Sequence, residues 1–244
     1  MTVTAIVAAA GRGERFGGAL KKQFLMLAGA PVLIHALTLF QNASLVDDAI
    51  CLVPKEDFSY AQALIERYSL TKVKTLLPGG GRRQDSVAAA VSRLEKTGRP
   101  DDIVLVHDGV RPLASSSLIS KVVAGVESFG AAAAACPVTD SLSEVSEARW
   151  IRKSLSRDTI WAMQTPQGFR LSILAEAYRK AARDDFFATD EAMLVARLGV
   201  SIRCVEGSAE NIKITKPSDL KMAEFLVRAR DRSCDHDSSS GSSI

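Results

Sequence analysis

The chain reads as an α/β protein built on a doubly wound, mostly parallel sheet, with a β-hairpin arm protruding from it. Three observations lead there. Short, continuously apolar runs such as Val3 to Ala10, Ile103 to Val106 and Ala131 to Val138 have the pattern of strands buried on both faces. Amphipathic helical segments alternate with them, and such βα repetition forces right-handed crossovers that lay helices on both sides of the sheet. Between Thr139 and Trp161 the rhythm breaks into a polar stretch in which Val145, Trp150, Ile151, Leu155 and Ile160 loosely alternate, as in a hairpin that leaves the core.

In chain order, Val3 to Ala10 is the first strand and stops at Gly11. Pro31 to Phe40 is a helix, with proline acceptable in its first turn and Val32, His35, Ala36 and Leu39 at helical spacing. His35 is read there as a structural residue. Asp48 to Val53 is a second strand, Asp57 to Tyr68 a helix, and Val73 to Leu77 a third strand closed by Pro78 and three glycines. A helix over Ser86 to Leu94 follows, with Asp85 as its expected cap. The fourth strand, Ile103 to Val106, is stopped by His107, Asp108 and Gly109. Ser116 to Phe129 is helical and Ala131 to Val138 returns to the sheet. Beyond the arm come helices over Leu171 to Ala182 and about Thr189 to Leu198, a strand over Ser201 to Val205 and a last helix from near Pro217. Asp190 and Glu191 suit the positive end of the helix that Thr189 opens.

Residues 1–230 therefore read as one domain with an arm at about 139–161. Residues 231–244 are serine-rich with almost no apolar content and are expected to be a disordered tail, in which Cys234 and His236 are inert. At 244 residues, 47% apolar and 24% charged, the chain can bury a sizeable core. A net charge of +3 is too small to imply nucleic acid. Cys51, Cys136, Cys204 and Cys234 have no C-x-x-C spacing, so neither a zinc site nor a disulfide framework is expected. No stretch reaches membrane-spanning length, and the apolar run Ala5 to Ala10 is too short for a signal sequence. A reducing cytoplasm, with no membrane partner, is the expected setting.

The chemistry collects where strands end. In an open parallel sheet, ligands bind outside the carboxyl ends of the strands, near the point where strand order reverses. Val7 to Gln23, VAAAGRGERFGGALKKQ, holds four glycines, two arginines and two adjacent lysines after the first strand. Exposed backbone N–H groups amid fixed positive charge make a polyphosphate cradle. Gly11-x-Gly13-x-x-Phe16 lacks the third glycine of a dinucleotide fingerprint, and no G-K-[ST] completes a Walker motif. Arg15 and Lys22 are placed to reach over a triphosphate and neutralise charge building on its α-phosphate. Gly79-Gly80-Gly81-Arg82-Arg83 follows the third strand, His107-Asp108-Gly109-Val110-Arg111 the fourth and Thr139-Asp140-Ser141 the fifth. Asp108 is a candidate Mg²⁺ ligand, since Mg²⁺ prefers oxygen and is typically held by one or two carboxylates plus substrate phosphates. Asn211-Ile212-Lys213 brings Lys213 to the same region.

With these loops in place, the chain resembles the 2-C-methyl-D-erythritol 4-phosphate cytidylyltransferases of the non-mevalonate isoprenoid pathway, from Val3 to about Leu226. The likeness is carried by VAAAGRGERFG, KKQF, PGGGRRQDSV, LVHDGVRP, CPVTDSL, WAMQTPQGF, ATDEA and ENIKIT, in that order. The resemblance implies a Rossmann-like nucleotidyltransferase that transfers CMP from CTP to methylerythritol 4-phosphate and releases pyrophosphate. It implies that Ala9, Ala10, Gly11, Gly13 and Arg15 form the CTP loop, with Arg15 and Lys22 stabilising the transition state. Gly80, Arg83 and Ser86 would meet cytosine and ribose, and Asp108 the metal. Arg111, Asp140, Ser141, Arg157, Thr165 and Thr189 resemble the methylerythritol phosphate pocket, and Lys213 a further phosphate contact. A homodimer through the arm is also implied, with Arg157 completing the neighbour's site.

The chain departs from the family pattern at Ala8, where proline is frequent, at Lys21, which replaces a proline, at Gly81, often acidic, and at Ser141, which keeps the hydroxyl of a threonine. Lys22 is preferred over Lys21 as the catalytic lysine because Gln23-Phe24 follows it. A ribitol 5-phosphate cytidylyltransferase and a non-catalytic nucleotide-binding regulatory subunit are the alternatives. The company of Arg15, Lys22 and Asp108 weighs against the second.

Overall fold

The structure is a computed structural model that describes residues 1–11 and 21–239. Gly13 and Arg15 lie outside the described residues. The elements are β1 (Val3–Ala8), the short paired strands β2 (Met26–Leu27) and β3 (Ala30–Pro31), α1 (Val32–Asn42), β4 (Asp48–Val53), α2 (Phe58–Arg67), β5 (Val73–Pro78) and α3 (Arg83–Glu95). They continue with β6 (Ile103–Asp108), α4 (Ser116–Phe129), β7 (Ala131–Pro137), β8 (Leu142–Val145), β9 (Ile151–Leu155), β10 (Trp161–Arg170), α5 (Leu171–Arg183), α6 (Glu191–Ala196), β11 (Arg203–Glu206) and α7 (Pro217–Ser239).

A seven-stranded sheet runs in the order β11-β7-β10-β6-β1-β4-β5. The chain builds outward from β1 through β4 to β5, then crosses back to lay β6 on the other side of β1. That reversal opens a crevice between the carboxyl ends of β1 and β6, where Ala8 and Asp108 stand opposite each other as the last pair of the ladder. Residues of β1 alternate between two cores. Val3, Ala5 and Val7 pack with Leu37 of α1, Leu64 of α2 and Ile119 and Val122 of α4, whereas Ile6 packs with Val87 of α3, Leu174 of α5 and Val195 of α6. Both faces are covered, which is why the strands read as unbroken apolar runs.

Most pairings in the sheet are parallel, as expected, but β10 runs antiparallel to both β6 and β7. The sequence reading did not find this strand. Its middle, Gln164 to Gly168, is polar and lacks alternation, and the register with β7 shifts between Met163 and Gln167. Gly168 explains how β10 fits under α4: a Cβ there would lie 2.8 Å from side-chain atoms of Val122 and Val126. The arm is a separate antiparallel pair, β8 with β9, outside the main sheet.

Two local expectations change. The helix α3 begins at Arg83 rather than Ser86, and Asp85 sits inside its first turn, where its carboxylate accepts from the Arg82 backbone N–H at 3.1 Å. The last helix continues through Ser239, into the stretch expected to be disordered from residue 231. Once the preceding turns pack through Leu220, Ala223, Leu226 and Val227, each further residue needs only one more backbone hydrogen bond to extend the ladder.

Candidate active site

A cavity of about 170 Å³ opens at the carboxyl edge of the sheet, lined among others by Ala9, Ala10, Gly11, Lys22, Gly80, Arg83, Ser86, Asp108 and Lys213. Its walls come from the loops after β1, β5, β6 and β11. Gly79 lets two of them meet, since a Cβ there would collide with the side chain of Ala10. Ser86 ties the second glycine loop together: its hydroxyl accepts from the Gly80 N–H and donates to the Arg82 carbonyl, both at 2.9 Å. Gln23, buried beside the cavity, donates to the Gly11 carbonyl at 3.3 Å.

The adjacent lysines stand in different surroundings. Lys21 Nζ pairs with Glu56 at 2.5 Å and Asp57 at 2.6 Å, on the segment that leads into α2. Lys22 borders the cavity.

Asp108 is the electrostatic centre. Its Oδ1 accepts from Arg83 Nε at 3.1 Å, and its Oδ2 faces Lys213 Nζ at 2.8 Å and Arg111 Nε at 3.5 Å. Burial alone would push this carboxyl up; the cations Arg83, Lys213 and Arg111 outweigh it and hold the group well below the usual carboxylate range. Arg83 is shared, for its Nη1 and Nη2 fork onto Glu191 at 2.7 and 3.0 Å. Burial works against the guanidinium charge, but Glu191 and Asp108 more than compensate and raise its pKa.

Behind Asp108 lies a chain of buried hydrogen bonds. The Asp108 backbone N–H donates to Thr165 Oγ1 at 3.0 Å, and His107 Nε2 lies 3.0 Å from the Arg111 carbonyl. A carbonyl only accepts, so Nε2 carries the ring proton and Nδ1 accepts from the Thr165 hydroxyl, also at 3.0 Å. Burial is the main reason the imidazole stays neutral, with its pKa lowered from 6.5 to about 4. Asn211 completes the support: its side-chain amide donates to the Thr165 carbonyl at 2.9 Å, and its backbone carbonyl accepts from Arg111 Nη1 at 2.7 Å.

This network carries a pH signature. Between pH 6.5 and 4 the unfolded chain takes up a proton at His107 that the folded protein refuses, so the unfolded state binds more protons and stability falls as pH falls. The loss from pH 7 to pH 4 is about 3 kcal/mol by the linkage relation. Urea midpoints of the wild type and His107→Gln, measured at pH 7.0 and 4.5, are expected to show a shallower pH dependence in the variant.

Not every expected residue lies at the cavity. Thr165 is buried and its hydroxyl is engaged with Asp108 and His107 rather than exposed to a ligand. Thr189 is exposed ahead of α6. Asp140, Ser141 and Arg157 are exposed on and near the arm, where Arg157 Nη1 donates to the Thr139 carbonyl at 2.5 Å. His107, Gln167, Tyr178 and Glu191 were given no role at the site in the sequence reading. The motifs LVHDGVRP, WAMQTPQGF and ATDEA contained His107, Gln167 and Glu191, but nothing in their spacing gave the three a place at the site.

A doubly wound sheet whose switch point holds a glycine-lined cavity with lysine and arginine around a buried aspartate has the architecture of an α/β nucleotidyltransferase. The family model of 2-C-methyl-D-erythritol 4-phosphate cytidylyltransferase (IspD) matches residues 3–229, and the chain belongs to that family. It is 42% identical over 227 residues to the protein of that name from Syntrophus aciditrophicus (strain SB), covering 93% of this chain and 96% of the relative. Among solved structures it is similar to the 4-diphosphocytidyl-2C-methyl-D-erythritol synthase of Anaerococcus prevotii DSM 20548, with a TM-score of 0.80 at 25% identity over 93% of this chain and 96% of the other. It is also similar to the 2-C-methyl-D-erythritol 4-phosphate cytidylyltransferase of Thermus thermophilus, with a TM-score of 0.75 at 32% identity over 93% and 100% of the two chains.

Proposed function

We propose that this chain transfers CMP from CTP to 2-C-methyl-D-erythritol 4-phosphate in the crevice between β1 and β6. The observation that carries the reading is the grouping of Lys22, Arg83, Lys213 and Asp108 around one cavity at the switch point, in a chain of this family. A phosphate oxygen of the acceptor attacks the α-phosphorus of CTP in line; the new P–O bond forms as the bond to the bridging oxygen breaks and pyrophosphate leaves. The nucleophile is already an anion, so no general base is required, and positioning with charge neutralisation supplies the rate.

Backbone N–H groups of the loop after β1 meet the triphosphate, and Lys22 with Arg15 neutralises charge at the α-phosphorus. Lys213 and Arg111 orient the acceptor phosphate. Gly80, Arg83 and Ser86 shape the side of the cavity that takes the nucleoside. Asp108 is the one carboxylate among the described residues lining the cavity, and since its oxygens already face Arg83, Lys213 and Arg111 it would hold a divalent cation only together with the phosphates of the nucleotide. No cluster of three or more His, Cys, Asp or Glu exists among the described residues, so phosphates and water would complete the coordination. Mg²⁺, if bound there, would neutralise phosphate charge.

We assign Asp140, Ser141, Arg157 and Thr189 to the acceptor pocket of an assembled homodimer, and Thr165 to its support. The arm exposes Val145, Trp150 and Ile151, with Trp150 76% and Ile151 73% accessible, which a second copy would cover. Sedimentation is expected to show a dimer, and Trp150→Ser with Ile151→Ser a monomer with weakened acceptor binding. No described helix is long and apolar enough to cross a membrane, and we place the enzyme in the cytoplasm. Pyrophosphate release with CTP and Mg²⁺ tests the whole reading. Release with methylerythritol 4-phosphate supports it, release only with ribitol 5-phosphate reassigns the acceptor, and no release with either sinks the catalytic claim.

A further inference from the structure

We propose that Asn211 is a positioning residue for the acceptor end of this reaction: its side-chain amide fixes the turn between β11 and α7 that anchors Arg111 and carries Lys213 to the site. The proposal rests on the assignment of Arg111 and Lys213 to the acceptor phosphate.

Asn211 is an uncharged polar residue, 1% exposed, and it stands behind the nucleotide cavity rather than on its wall. A polar group so deeply buried is stable only with partners. Its Nδ2 donates to the Thr165 carbonyl at 2.9 Å and to Gln164 Oε1 at 3.2 Å, so the turn hangs on two consecutive residues of β10. Gln164 returns the grip, its Nε2 donating to the Ser208 carbonyl at 2.8 Å. That carbonyl also accepts from the Asn211 backbone N–H at 3.0 Å, which closes the turn.

What the turn carries is charge. The Asn211 carbonyl accepts from Arg111 Nη1 at 2.7 Å, and the Met163 carbonyl of β10 accepts from Arg111 Nη2 at 3.4 Å. The turn and β10 thus hold the two prongs of the guanidinium, and its Nε is directed to Asp108 Oδ2 at 3.5 Å. Two residues beyond Asn211, Lys213 Nζ reaches the same oxygen at 2.8 Å. The Ile214 N–H then donates to the Val110 carbonyl at 2.9 Å and the Ile214 side chain is fully buried, so the backbone is pinned on both sides of Lys213. A phosphate docking beside Asp108 meets two cations whose places are set by one amide, and such placement of a reactant is what an in-line transfer requires.

The nucleotide side is held by other contacts. Ser86 braces Gly80 and Arg82, and Glu191 takes the fork of Arg83; residues 207–214 have no part in these bonds. Loosening the turn therefore harms the acceptor and spares CTP, whereas a general loss of structure weakens both.

The test uses the full-length protein, with pyrophosphate release for the acceptor and calorimetry for CTP. Asn211→Ala keeps the backbone carbonyl and removes the amide that places it. It is expected to lower kcat/KM for methylerythritol 4-phosphate by about 10- to 100-fold, while CTP affinity changes by no more than about twofold. In a Lys213→Ala background the same substitution is expected to cost distinctly less, because it acts through that lysine. Unchanged acceptor kinetics, a parallel loss for both substrates, or full additivity with Lys213→Ala overturns the proposal. Should Asn211→Ala not fold, Gln164→Met removes the partner of the amide at similar side-chain length, and it must show the same one-sided loss or the proposal fails. Lys213→Ala and Arg111→Ala separate the two levels. If both leave the acceptor KM unchanged, the assignment of the acceptor phosphate falls and this proposal with it; if they raise it and Asn211→Ala does not, this proposal alone falls.

Discussion

Lys22→Ala is expected to lower turnover by about 10²- to 10³-fold, the usual consequence of removing one donor aimed at charge that develops in the transition state. Lys22 lines the cavity together with Gly11, Gln23, Asp108 and Lys213. Its loss empties no core position, so the unfolding free energy from urea melts is expected to change by no more than about 0.5 kcal/mol. Lys21→Ala is the control. That lysine pairs with Glu56 and Asp57 rather than with the cavity, and ion pairs near the surface contribute about 0 to 1 kcal/mol. Pyrophosphate release and denaturant melts on the two variants decide between them: if Lys21→Ala abolishes turnover and Lys22→Ala does not, the lysines have been assigned the wrong way round.

Asp108→Asn is expected to damage both activity and fold. Its carboxylate answers Arg83, Arg111 and Lys213, and its side chain is only 8% exposed. Removing one partner of a buried ion pair leaves uncompensated charge behind. Here the cost is about 3 kcal/mol, at the lower end of the range for buried pairs, because Arg83 and Lys213 keep part of their surface in water. The pH dependence has a definite sign. A carboxyl depressed in the folded state stabilises fully above the unfolded value of about 3.9, and that contribution is lost only as pH falls further, through the folded value. Wild-type activity between pH 5 and 8 is therefore expected to show no titration from Asp108. A rate profile with an Asp108-dependent inflection in that window contradicts the ion-pair cluster.

Much of this was legible in the chain. Strands such as Asp48 to Val53 and the helix Ser116 to Phe129 coincide with the structure because both faces of the sheet are covered and the helices are amphipathic. The loops at the strand ends and the order of the motifs point to the nucleotidyltransferase family without any geometry. The choice of Lys22 over Lys21 rested on the motif alone, and the partners of Lys21 now give a physical ground for proposing it.

Strand β10 and the shell behind the site were not legible. Gln164, Thr165 and Gln167 are buried yet polar, so they break the apolar pattern by which a strand is recognised. They sit there because each has a partner: Asn211 and Ser208 for Gln164, His107 and Asp108 for Thr165, and Asp190 and Ala192 for Gln167. Arg83 and Glu191 likewise stand 108 residues apart, and no spacing in the chain relates them. The sequence by itself determined the sheet, its switch point and the residue types gathered there, since those depend on local periodicity and on where strands end. Only the tertiary structure decided which charges share the buried site and which cation answers which carboxylate. Buried polar groups are stable solely through partners that folding brings to them.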